Sequence, residues 1–148
     1  EAALCVQVAA VDVDVETGQV GLRQFTSAHS TGTVLNPLMH QGQIDGGVVM
    51  GMGYALMEGI LSDGGSVVTT NFGENKIPSI RDIPALKTII QEFPVGNGPY
   101  GGMSIGEPPV VPTAAAIANA VEDAVGARIY DLPITAEKVL RALRGRLE

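Results

Sequence analysis

From residue 4 the chain alternates, with Val11, Val13 and Val15 interleaved with Asp12 and Asp14. Side chains of a strand point to its two faces in turn, so this pattern predicts a half-buried strand over residues 4–15. Glu16-Thr17-Gly18-Gln19 supplies a turn, and residues 20–28 resume an extended, β-prone pattern. The chain is therefore expected to open as an antiparallel hairpin. After Thr31-Gly32-Thr33 and the breaking pair Asn36-Pro37, residues 38–61 have few breakers other than glycine and are predicted to be one long helix. Residues 62–66 read as a turn and 67–71 as a short strand. The prolines at 78 and 84 make 76–84 an irregular crossing, because each pushes its predecessor towards extended geometry. Residues 86–93 are again strand-like. Residues 96–106 carry five glycines and one proline and are expected to be a loop. A helix is predicted from 114 to 125 with Gly126 as its stop, and a last one from the N-cap Thr135 to about 143.

The order of strands, long helix, strands and two helices is an α+β pattern rather than a strict alternation. It predicts an N-terminal antiparallel hairpin, a long Gly-rich helix, short strands and two C-terminal helices. The helix over 38–61 is unusual in holding Gly42, Gly46, Gly47, Gly51, Gly53 and Gly59. Each costs a helix about 1 kcal/mol relative to Ala, so close backbone approach is implied. Tight packing against a neighbouring element is the favoured explanation, and a ligand lying on the backbone is the alternative.

Composition narrows the classes. With 148 residues, 45% hydrophobic and 17% charged, the chain has the size of one domain or a large part of one. Nine Lys and Arg against 16 Asp and Glu give a net charge of −7, which disfavours nucleic acid and anionic membrane surfaces as partners. Cys5 is the single cysteine, so no internal disulfide forms and a reducing, cytoplasmic setting is expected. The opening Glu1-Ala2-Ala3 shows no basic region ahead of an apolar stretch, so no leader is expected there, and the apolar stretch 46–57 is too short for a bilayer.

Glu107 is the residue that elementary chemistry singles out. It lies between a glycine-rich loop and Pro108-Pro109-Val110-Val111, which fix its backbone and surround it with apolar groups. Such desolvation raises a carboxyl pKa and is how a general base is poised near neutral pH, whereas the plainer reading is a solvated loop glutamate. Gln43, in Gln41-Gly42-Gln43-Ile44-Asp45-Gly46-Gly47, offers an amide that can donate to and accept from a polar ligand admitted by adjacent glycines. It can equally be an ordinary helix-start residue. His29 and His40 are too few for a protein-ligated metal and are read as structural or solvent-facing. Asp45 and Glu58 stand several turns apart on the predicted helix and are read as terminating or solvating it. No dinucleotide fingerprint, phosphate loop or nucleophile elbow occurs.

Several stretches, in order and over nearly the whole chain, together resemble the molybdenum hydroxylase family of xanthine dehydrogenase and aldehyde oxidase. They are Gly32-Thr33-Val34-Leu35-Asn36-Pro37, the run from Gly42 to Leu56 with Glu58, Asn75-Lys76-Ile77-Pro78, Gly98-Pro99-Tyr100-Gly101, Ile105-Gly106-Glu107-Pro108-Pro109 and Asp131-Leu132-Pro133-Ile134-Thr135. The resemblance is to the C-terminal part of the molybdopterin-binding catalytic subunit, and it implies that residues 1–148 form a single, partial molybdopterin-binding domain.

The resemblance further implies that Glu107 is the active-site base, taking the proton from a hydroxyl on molybdenum that attacks an electrophilic carbon of a heterocycle or aldehyde. Gln43 matches a glutamine that hydrogen-bonds the pterin, and Ile105 and Gly106 match backbone positions beside the metal. The cofactor implied is molybdenum-molybdopterin, in its plain or cytosine dinucleotide form, held by the pterin dithiolene with no protein metal ligand. Implied partners are a preceding molybdopterin-binding domain or subunit, iron-sulfur and FAD subunits, and a small-molecule substrate. Two departures are Ser30, where relatives often carry Asp, and Met103, where they often carry Lys. A second reading of the same resemblance is a non-catalytic assembly or binding module of that ancestry.

Overall fold

The computed structural model describes residues 3–93 and 96–145. Glu1 and Ala2, part of the opening read above as carrying no leader, lie outside the described residues. The hairpin expected from the alternation forms as β1 (Leu4–Val13) and β2 (Val20–Thr31), which pair antiparallel. Gly18 takes φ +75 in their connection, which an L side chain rarely adopts. The third strand, β5 (Ala85–Glu92), lies parallel to β2 on its far side, with Phe25 opposite Leu86 and His29 opposite Ile90. The sheet order is thus β1-β2-β5.

Between β2 and β5 run the long helix α1 (Pro37–Leu56), a two-residue hairpin β3 (Ser62–Asp63) and β4 (Ser66–Val67), and one turn of helix α2 (Phe72–Asn75). Asn36 caps α1 through its side-chain oxygen, which accepts from the Met39 amide 3.1 Å away, and Pro37 occupies the first helical position where no amide partner is needed. The helix ends five residues sooner than expected. The amides of Met57 and Glu58 both donate to the Gly53 carbonyl, which breaks the regular ladder. The expected strand over 67–71 shrinks to Ser66–Val67. Gly64 and Gly65, at φ +53 and +85, form a tight turn inside the region read as all turn, and Asn71 instead caps α2.

The C-terminal helices are α3 (Thr113–Val125), stopped by Gly126 at φ +68, and α4 (Ala136–Arg144), capped by Thr135. Both caps are those expected from the sequence. One face of the sheet carries the core. Phe25 is buried with Val48, Met52 and Ala55 of α1, Ile117 and Val121 of α3, Ile134, and Val139 of α4. The opposite face has no partner among the described residues: Leu4, Val6 and Val8 of β1 are each more than 60% exposed, and Ile89 of β5 is exposed beside Ala28. No helix of the described residues is long and apolar enough to cross a membrane.

Candidate functional site

Four of the five glycines of α1 fall into two groups, and the fifth, Gly53, lies against the Glu58 side chain and Pro78. A Cβ on Gly47 would stand 2.7 Å from Pro109 Cβ, and one on Gly51 would stand 2.5 Å from Thr113 Cβ. These two are where the chain around 109–113 presses on the helix backbone. Gly42 and Gly46 meet nothing within 4 Å. Packing therefore accounts for the glycines at 47 and 51, while 42 and 46 leave open backbone that no described residue covers. At about 100° per residue, Gln43 lies between the open side and the packed side. Its side chain is exposed and has no hydrogen-bond partner among the described residues.

Glu107 begins the turn that Gly47 receives. The turn closes through the Val110 amide, which donates to the Glu107 carbonyl at 3.1 Å. Pro108 and Pro109 have no amide, so the turn is otherwise held by its carbonyls. Pro109 O accepts from Gln7 Nε2 at 2.7 Å and from Thr113 Oγ1 at 3.0 Å, and Val110 O accepts from the Tyr54 hydroxyl of α1 at 3.1 Å. The backbone beside Glu107 is fixed, as the sequence suggests. The burial expected for its carboxyl is not found: Glu107 is exposed and borders two hollows of about 350 and 370 Å³. The apolar neighbours pack inward through Pro109 and leave the carboxylate outside.

The first hollow is shared with Asn97, Gly98, Gly102, Met103 and Ser104, so the glycine-rich loop and Met103 do reach the region of Glu107. Ile105 is half-buried, and Gly106 is exposed with open space around its Cα. A larger hollow of about 460 Å³, between β2, the end of α1 and Arg81-Asp82, contains none of the four expected site residues. Packing of Gly47 on Pro109 brings the α1 segment bearing Gln43 and the turn bearing Glu107 to one side of the molecule, with no hydrogen bond between the two side chains among the described residues.

Asp45 does not terminate or solvate the helix as expected. It is half-buried and accepts from the Thr88 hydroxyl of β5 at 2.6 Å, which ties α1 to the sheet edge. His29 is structural. Its Nε2 lies 2.6 Å from Ser27 Oγ and 3.6 Å from Cys5 Sγ, deep against the sheet. Burial, and secondarily the nearby His40, holds its pKa below 6.5, and burial does the same at His40. Burial also pushes the Cys5 thiol up, in part offset by its hydrogen bond with Ser27.

A neutral buried imidazole has a definite consequence for pH. As pH falls below about 6.5 the unfolded chain takes up protons that the folded one refuses, so stability is full above that value and declines beneath it. Urea midpoints at pH 7.5 and pH 5.5 should show the loss, and His29→Gln should reduce the difference, leaving the share that His40 contributes. An equal slope in that variant would assign the loss to other groups.

Among the described residues no group of three or more His, Cys, Asp or Glu is placed to hold a metal. A free amide beside uncovered helix backbone, with a carboxylate on a braced turn, suits an organic ligand rather than a bare ion, and a metal carried by that ligand fits this donor set. Fold and site together are those of a cofactor-binding domain. The chain belongs to the molybdopterin cofactor-binding domain family, whose profile matches residues 2–84, including Gln43 and all of α1.

It is similar to the xanthine dehydrogenase molybdenum-binding subunit of Escherichia coli O157:H7, 39% identical over 129 residues, covering 86% of this chain and 17% of that subunit. It is 39% identical over 139 residues to the aldehyde oxidoreductase of Megalodesulfovibrio gigas, covering 92% of this chain and 15% of that protein. The solved aldehyde oxidoreductase of Desulfovibrio gigas superposes with a TM-score of 0.87 at 38% identity, over 96% of this chain and 15% of that one. The chain thus spans less than a fifth of the length of these relatives.

Gln7 and Tyr54 escaped the sequence reading although they brace the turn of Glu107. A signal for Gln7 was present: on a strand whose inward positions include Ala9, Val11 and Val13, a glutamine at the same phase must find partners. For Tyr54 no signal separated it from the apolar run around it.

Proposed function

We propose that this chain supplies the base and part of the pterin pocket of a molybdenum hydroxylase that oxidises a heterocycle or aldehyde with water as the oxygen source. The observation that carries this reading is the Glu107 turn. It is pinned at Pro109 and Val110 to β1, α1 and α3, yet its carboxylate faces outward beside the helix that offers Gln43 and bare backbone. A base held by rigid backbone and left uncovered is arranged for a reactant brought from outside this chain.

In this reading Gln43 donates and accepts hydrogen bonds at the pterin edge, and the open backbone at Gly42 and Gly46 lets a flat ligand approach. Ile105 and Gly106 line the metal side of the pocket. When bound, the cofactor supplies the electron acceptor and activates the water-derived oxygen. With the cofactor bound, Glu107 would take the proton given up by the attacking water-derived oxygen. The substrate-facing side of Glu107 is closed by polypeptide other than this chain, which supplies the desolvation a general base needs.

A second molybdopterin-binding domain or subunit and iron-sulfur and FAD subunits complete the proposal. The uncovered apolar sheet face of Leu4, Val6, Val8 and Ile89 supports a covering partner. The unpaired Cys5 and the net charge of −7 support a cytoplasmic enzyme without nucleic-acid or membrane partners.

Co-expression of this chain with the remaining enzyme polypeptides, followed by elemental analysis and assay of released pterin, tests the reading. Molybdenum and pterin should be found in equal amounts with the complex. Gln43→Ala should weaken cofactor retention by about tenfold, the value of one hydrogen bond, without changing the chain's own stability. A complex that assembles without molybdenum would favour the assembly-module reading instead.

A further inference from the structure

The brace beneath Glu107 does not end at Pro109. Gln7 uses its whole amide: Nε2 donates to Pro109 O at 2.7 Å and to Ser27 Oγ at 2.9 Å, and Oε1 accepts from Thr113 Oγ1 at 2.8 Å. Ser27 Oγ in turn lies 2.6 Å from His29 Nε2. Ser27, His29, Pro109 and Thr113 are all fully buried. Such an array is sensitive to the loss of any member, because a buried polar group left unmatched is costly.

Its placement is specific. Gln7 is 102 residues from Pro109 in sequence and projects from the inward face of β1, so the array bolts the turn to the rigid centre of the sheet. Thr113 has a single hydroxyl proton and two acceptors in reach, Gln7 Oε1 and Pro109 O. When that proton goes to Gln7, the Gln7 amide is what satisfies Pro109 O. The consecutive prolines leave the turn only the Val110 amide of its own between 108 and 110, so the sideways position of Glu107 depends on this carbonyl being held.

We propose that Gln7 is a positioning residue for Glu107, acting through the Pro109 carbonyl, with Thr113 fixing the orientation of its amide. The inference rests on Glu107 being the base. The array has no exposed member that could meet substrate, so its effect is on the placement of the carboxylate and not on binding.

The test is made in the assembled, molybdenum-loaded enzyme. Gln7→Met keeps length and removes all three hydrogen bonds; it should lower kcat by about tenfold, in line with a small misplacement of a reacting group, while KM and molybdenum content stay within twofold of the parent. Hydrogen exchange at the Val110 amide should quicken while the amides of β1 and β2 keep their protection. In a Glu107→Gln background, Gln7→Met should cost nothing further, since it acts through the same group. Thr113→Val should repeat the kcat loss and Thr113→Ser should restore it, which serves if Gln7→Met does not accumulate folded. Full kcat in a folded, loaded Gln7→Met enzyme overturns the proposal, as does an equal added loss on the Glu107→Gln background or a fall in molybdenum that matches the fall in rate. Parental turnover in Glu107→Gln alone overturns the role of Glu107 and the proposal with it; loss in Glu107→Gln beside a parental Gln7→Met overturns the proposal alone.

Discussion

Glu107→Gln in the assembled enzyme is expected to lower kcat by about 10²- to 10⁴-fold, the usual worth of a positioned general base, with molybdenum and pterin retained. The substitution keeps size and the capacity to hydrogen-bond but replaces the basic carboxylate with an amide that does not accept a proton at neutral pH. The structure makes the experiment clean. The Glu107 side chain is exposed and has no partner among the described residues, and the turn is held through backbone carbonyls that the variant leaves in place. Folding stability should therefore move by no more than about 0.5 kcal/mol, as for ordinary surface positions. Loss of turnover with unchanged urea midpoint and full metal content assigns the carboxylate to chemistry. Turnover within tenfold of the parent would place the base elsewhere and leave Glu107 a solvated loop residue.

What the chain disclosed in advance follows the range of the interactions involved. The hairpin was legible because Val11 and Val13 alternate with Asp12 within a few residues, and the helix start at Thr135 and stop at Gly126 because caps are local chemistry. The early end of α1 at Leu56 was not, since it depends on Met57 and Glu58 competing for one carbonyl at Gly53. The parallel pairing of β2 with β5 joins residues about 60 apart, and Asp45 meets Thr88 only because of it.

The site shows the same division. Glu107 was singled out by its prolines, and Gln43 by its glycines, from neighbours in sequence. That Glu107 would be uncovered was hidden, because the direction in which Pro109 packs is set by Gly47, 62 positions earlier in number. The roles proposed for Glu107 and Gln43 come from the resemblance to a known family, and physical reading alone leaves both as two-way alternatives.

The glycines of α1 give the second large effect, and its sign should reverse within a single turn and a half of helix. Gly51→Ala places a methyl group 2.5 Å from Thr113 Cβ, closer than side-chain carbons come, so α1 and α3 must part. Overpacking of this kind costs about 1–3 kcal/mol, offset only partly by the better helix propensity of Ala. Because Thr113 also holds Gln7 and Pro109, the displacement should carry into the Glu107 turn. Gly46→Ala meets nothing within 4 Å and should instead stabilise the chain by up to about 1 kcal/mol, read as a higher urea midpoint at constant slope. If the open backbone at Gly42 and Gly46 is where the pterin lies, that more stable variant should hold less molybdenum than the parent. A stabilised Gly46→Ala enzyme with full molybdenum would show that the open glycines face no ligand. Destabilisation in both variants would show that the uncovered side of α1 is packed in the assembled enzyme by another polypeptide.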